Sequence, residues 1–125
     1  MRRVLLIDPV APVRMHLAQR LRRLGWTVTE ASGLAEATAA TRRPPELVVT
    51  ELHLADAQGV EIVRRLRQAF PGVAVVVCSA AAKGELAVAA WRAGAADFLV
   101  KPVRPERLGR CLEALGRDVR AAEER

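Results

Sequence analysis

Four polar residues each stand directly behind a short apolar run: Asp8 after residues 4–7, Glu51 after 47–50, Ser79 after 73–78 and Lys101 after 98–100. If those runs are parallel strands of one sheet, the four side chains meet at its carboxyl-terminal edge, where open α/β sheets bind ligands. Two carboxylates could attract a cation there, and the ammonium could pair with either of them. Each residue also has a plainer reading. Asp8 could form a turn, Ser79 could cap the following helix, and Lys101 could be an ordinary surface cation. Against the last, the cations of this chain are overwhelmingly arginine and Lys83 is its only other lysine. A compact ammonium placed behind the fifth run is therefore a feature of that position.

The elements that must position these residues follow from hydrophobic periodicity. Residues 4–7 form a continuously apolar run, as expected of a strand covered on both faces. A helix follows over 11–24, with Val13, Leu17, Leu21 and Leu24 at helical spacing, and Gly25 stops it. A second strand is expected at 26–31. A helix capped by Ser32 then runs to about Arg43, before Pro44 and Pro45. The third strand is 47–50, and a loop through Leu54, Asp56 and Gly59 leads to a helix carrying Val60, Val63, Leu66 and Phe70. The fourth strand is 73–78, a helix spans about 83–93 and ends at Gly94, and the fifth strand is 98–100. Pro105 opens the last helix, with Leu108, Leu112 and Leu115 on one face. This alternation predicts an α/β fold, a five-stranded parallel sheet with helices on both faces, as one domain over 1–125.

Composition narrows the function classes. At 125 residues the chain can build its own core without staples. Cys78 and Cys111 have no metal-ligand spacing and give no disulfide framework, which fits reduced thiols in the cytoplasm. No apolar run approaches the length of a membrane span, and residues 4–7 are too short for the apolar core of a signal peptide. The net charge of +6 favours polyanions. However, almost no aromatics interleave with the arginines, so no stacking platform for single strands is visible and direct nucleic-acid binding is not expected.

In this order and at these spacings, the stretches 4–8, 45–52, Gly59, 75–80 and 94–102 make the chain resemble the receiver domain of bacterial two-component response regulators over essentially its whole length. The resemblance implies a (βα)5 flavodoxin-like fold and signalling through protein contact. It implies a phosphoacceptor Asp after the third strand, an acidic pair holding Mg2+ after the first, a hydroxyl after the fourth and a Lys after the fifth. By position, Asp8 is the first acid of the pair, Ser79 the hydroxyl, Lys101 the lysine, and Phe98 the aromatic that changes rotamer on activation. Phe98 alone reads more simply as core.

Two positions depart from that pattern: Pro9 stands at the second acid and Glu51 at the phosphoacceptor. Proline has no side-chain oxygen, and Mg2+ requires near-octahedral oxygen ligation. No cofactor is therefore expected, and Mg2+ binding should be weak or absent, with Asp8 and Glu51 the residues that could still attract a cation. Asp56 could in principle compensate, though its loop position gives no reason to expect it. Glu51 displaces its carboxylate by one methylene in a reaction that depends on positioning.

The expected function is thus non-enzymatic: an atypical receiver acting by phosphorylation-independent protein contact, with Glu51 bonding Lys101 or Ser79 in partial mimicry of a phosphorylated state. Protein partners would be a histidine kinase, an output domain or a second copy. The resemblance places the contact surface on the fourth helix, fifth strand and fifth helix, which brings in Lys83, Trp91, Asp97, Arg107 and Arg110. The alternatives are a conventional Mg2+-dependent phospho-accepting regulator and, less favoured, a flavodoxin-like small-ligand binder. The latter lacks a glycine-rich phosphate loop after the first strand. A hydrolase is disfavoured because Ser79 has no histidine partner in the expected site. His53, two residues beyond Glu51, is expected at the rim of the pocket, and His16 on an exposed helix face.

Overall fold

The computed structural model describes residues 2–81 and 84–123, with side chains described to residue 116. Five strands, β1 (Arg3–Ile7), β2 (Thr27–Ala31), β3 (Leu47–Thr50), β4 (Ala74–Ser79) and β5 (Asp97–Val100), form one all-parallel sheet in the order β2-β1-β3-β4-β5. They alternate with α1 (Ala11–Arg23), α2 (Leu34–Ala40), α3 (Glu61–Ala69), α4 (Gly84–Arg92) and α5 (Pro105–Glu123).

Strand side chains point alternately to the two faces, and the chain fills both with aliphatics. Leu5, Ile7, Val48, Val75 and Val77 face the layer built by α2, α3 and α4. Val4, Leu6, Leu47, Val49, Val76 and Cys78 face α1 and α5. Most of these side chains are fully buried. Each such burial contributes about 1.5–3 kcal/mol, which explains why runs that read as unbroken apolar sequence become central strands.

Two glycines set how helices hand over to strands. After α1, Gly25 takes a φ of 93°, its N–H donates to the Arg22 carbonyl, and the Trp26 N–H donates to the Leu21 carbonyl. That left-handed step turns Trp26 into the core beside α1. Gly94, with φ 107°, repeats the same pair of bonds after α4, and the Arg67 guanidinium lies where a Cβ would project. These turns fix where β2 and β5 begin.

The second helix departs from expectation. Ser32 does not cap it; the Ser32 hydroxyl and N–H both donate to Glu36, and Gly33 occupies the cap position without a side-chain bond. The free amides of Leu34 and Ala35 are capped instead by Asp56, at 3.0 and 2.8 Å. The helix also ends at Ala40 rather than near Arg43. Its seven residues span about 10 Å, shorter than the five-residue β2 beneath it.

Candidate functional site

The backbone ladder runs one residue past β1, β3 and β5, and so delivers the polar residues to one edge. The Asp8 N–H donates to the Ala31 carbonyl, Glu51 N–H to Ile7, and Lys101 N–H to Ser79, each at 3.0 Å. Ser79 is itself the last residue of β4. All four expected site residues therefore meet, with Asp8, Glu51 and Ser79 buried and Lys101 half-buried.

At the centre lies the Lys101 ammonium. Its Nζ donates to Asp8 Oδ2 and to Glu51 Oε2, the latter at 2.7 Å. The remaining carboxylate oxygens are engaged as well. Asp8 Oδ1 accepts from the Val10 N–H at 2.9 Å, and Glu51 Oε1 from the Leu52 N–H at 3.0 Å. Asp8 thus forms the turn and joins the site together. Burial works to raise the Glu51 carboxyl, but bonds from Lys101, the Leu52 N–H and the Ser79 hydroxyl outweigh it and hold the group below its ordinary value. Burial likewise works to lower Lys101, and the bonds and charges of Asp8 and Glu51 raise it instead. Cys78, behind the triad, is pushed up to about 11 by burial, so its thiol stays protonated and inert.

This donor set does not fit the Mg2+ that the receiver resemblance implies. All four oxygens of the two carboxylates already accept hydrogen bonds, and Pro9 adds no oxygen. Asp56 does not compensate, because both of its oxygens are committed to α2. Among the described residues no group of three or more His, Cys, Asp or Glu could hold a metal ion.

The other expected positions divide. Ser79 Oγ also accepts from the Ala81 N–H at 3.2 Å. His53 is exposed and pairs with Gln58 at 3.1 Å, outside the triad. Phe98 is partly buried against the core and lines a cavity of about 260 Å3 with Ala87 and Trp91. On the expected contact face, Trp91 is 76% exposed and Arg110 is exposed. Asp97 and Arg107 do not stand free but form an ion pair at 2.7 Å. The Asp97 carboxyl is pulled up by burial, and the bonds from Arg107 and the Phe98 N–H overcome this and lower it. Lys83 lies outside the described residues.

Three features of the site were not legible in sequence. Arg14 donates to the Asp8 carbonyl at 2.9 Å and ties α1 to the loop. Asp56 caps α2 from 21 and 22 residues away; its only sequence signal is Gly33, which leaves room for that carboxylate at 3.0 Å. Beside Lys101, Pro12, Val13, Leu17, Cys78, Pro102 and Val103 line an apolar groove of about 540 Å3, with His16 and Arg20 at its margin.

Comparison with known proteins agrees with this fold. The family description of the response regulator receiver domain matches residues 4–113. The chemotaxis protein CheY of Thermotoga maritima is 30% identical over 118 residues, covering 93% of this chain and 96% of CheY. The photosynthetic apparatus regulatory protein RegA of Cereibacter sphaeroides is 34% identical over 116 residues, covering 92% of this chain but 63% of RegA. A two-component response regulator from Clostridium difficile shares the fold with a TM-score of 0.87 at 22% identity, over 94% of this chain and 97% of that one. A five-stranded parallel sheet with a buried Asp–Lys edge and a matching sequence over nearly its full length places this chain in the response regulator receiver domain family.

Proposed function

We propose that this receiver domain signals by protein–protein contact without being phosphorylated, as an atypical receiver. The observation that supports this reading is the closed triad: Lys101 bridges Asp8 and Glu51 and offsets one of their two negative charges, and every carboxylate oxygen has a donor. Phosphoryl transfer depends on positioning and on charge clamping by a metal. Here the acceptor position carries Glu51 and the metal position lacks its second acid. In this reading the domain performs no catalysis and uses no cofactor. Glu51 reaches Lys101 and Ser79 from its own strand and partly substitutes for a phosphorylated acceptor. One carboxylate carries less charge and fewer acceptor oxygens than a phosphoryl group, so the substitution is incomplete.

The contact surface runs over α4, β5 and α5, where Trp91 stands out and Val88 and Val100 are each 46% exposed. The partner is a histidine kinase, an output domain on a longer chain, or a second copy. Two free cysteines fit a reducing cytoplasm, and no described helix is long and apolar enough to cross a membrane. A second reading, small-ligand binding, is favoured by one observation: the groove beside Lys101 is of ligand size and apolar, with few polar groups.

The deciding experiment is intact mass after incubation with a small-molecule phosphoryl donor and Mg2+, run on the parent, Glu51→Asp and Glu51→Asp/Pro9→Asp. The expected result is no adduct on the parent and recovery of one as the acids are restored. A stoichiometric adduct on the parent would make this a working phospho-switch. For the mimicry, a Glu51→Gln variant that binds partners as the parent does would end that part of the reading.

A further inference from the structure

The opposite, amino-terminal end of the sheet carries a feature that the receiver role does not use. Because α2 ends at Ala40, the segment after it, rather than the helix, borders the start of β1 and β2 on that face. A cavity of about 240 Å3 opens there, lined on the β1 side by Arg3, Val4 and Leu5. Its walls hold Arg3, Arg42 and Arg43 together with the hydroxyl residues Thr29 and Thr41.

Among the described residues, none of those three arginines forms an ion pair. Arg3 makes a single long bond, from Nε to the Pro44 carbonyl at 3.4 Å, which leaves its Nη groups unused. Thr41 donates to the Ala37 carbonyl, so its oxygen can only accept further; Thr29 has no such bond and can donate. The neighbouring charges are already accounted for. Glu30 turns to the other face of β2 and holds Arg14 and Arg22. Arg2 lies 5.7 Å from the Trp26 ring centroid. Glu46, whose N–H donates to the Arg3 carbonyl, does not line the cavity. Three guanidinium groups around one small cavity repel each other unless an anion joins them. Guanidinium forks match phosphate oxygens in pairs, and the volume is below that of a drug-sized site.

We propose that this cavity is a binding site for a phosphoryl or pyrophosphoryl group of a small ligand, held by Arg3, Arg42 and Arg43 with Thr29 as a hydroxyl donor. It lies at the end of the sheet opposite Glu51 and shares no residue with the phosphoacceptor edge. The test is calorimetric titration of the full chain with inorganic pyrophosphate at constant ionic strength, with amide shifts of Thr29 and Thr41 followed by NMR. The variants are Arg42→Gln/Arg43→Gln, Arg3→Gln, and Arg64→Gln/Arg65→Gln on the distant α3. The expected result is saturable one-site binding with shifts at Thr29 and Thr41. It should weaken about tenfold or more in the first two variants and hold in the third. Absence of saturable binding would overturn the proposal. So would an equal loss in all three variants, or duplex DNA competing with a loss spread over every arginine pair, since either would mark a diffuse cationic surface instead of a site.

Discussion

The two ends of one sheet handle charge in opposite ways. At the carboxyl-terminal edge, Asp8, Glu51 and Lys101 are buried or half-buried, and each carboxylate oxygen accepts from Lys101 or from a backbone N–H. At the amino-terminal edge, Arg3, Arg42 and Arg43 line an open cavity with no acid among its described lining residues. The first arrangement is closed: its partner is already in the chain. The second is open, and none of its arginines forms an ion pair among the described residues. The difference teaches that a charge cluster should be judged by what its oxygens and protons already bond, more than by how many charges it holds.

Several substitutions would break or sharpen this contrast. The largest effect is expected for Lys101→Ala, which strands two buried carboxylates. Removing one partner of such a pair should cost about 3 kcal/mol, the low end of the usual range because Lys101 keeps some exposure. Urea unfolding at pH 7 measures this, and the loss should shrink at acid pH as Glu51, whose charged form Lys101 favours, takes up a proton.

Next comes the pH dependence of the parent. The Glu51 carboxyl is held below its ordinary 4.5, so its contribution is present above that pH and is lost as pH falls through the folded value. Lys101 is raised above 10.5, so its contribution is complete below that pH and is lost as pH rises through the folded value. Stability should therefore sag at both extremes, and Glu51→Gln should flatten the acid limb. An unchanged acid limb in that variant would mean that Glu51 is not held by the triad.

A smaller and more local effect is expected for Asp56→Ala. The Leu34 and Ala35 amides should exchange hydrogen several-fold faster while β-sheet amides keep their protection. Smallest of all, Arg42→Gln/Arg43→Gln should change unfolding free energy by no more than about 0.5 kcal/mol, even as it weakens pyrophosphate binding. A large loss of stability there would mean these arginines hold the fold together rather than await a ligand.

Most of the architecture could be read from the sequence because its signals are local. The apolar runs at 4–7, 47–50 and 73–78 have one stable use in a chain this size, and Gly25 and Gly94 mark helix ends by their own backbone freedom. The edge residues followed from strand ends alone, and Pro9 and Glu51 declared the departures from the receiver pattern without any coordinates. What the sequence could not decide was pairing. Lys101 is 50 and 93 residues from its two acids, and Asp97 and Arg107 were both placed on the contact surface without any sign that they pair. Ser32 was read as a cap because capping is normally local, whereas the donor-acceptor accounts of α2 are closed by Asp56 from the next loop. Residue types fix which groups can bond, and strand order and helix length fix which of them come within reach. The first is written along the chain; the second exists only once the sheet has brought distant strand ends side by side.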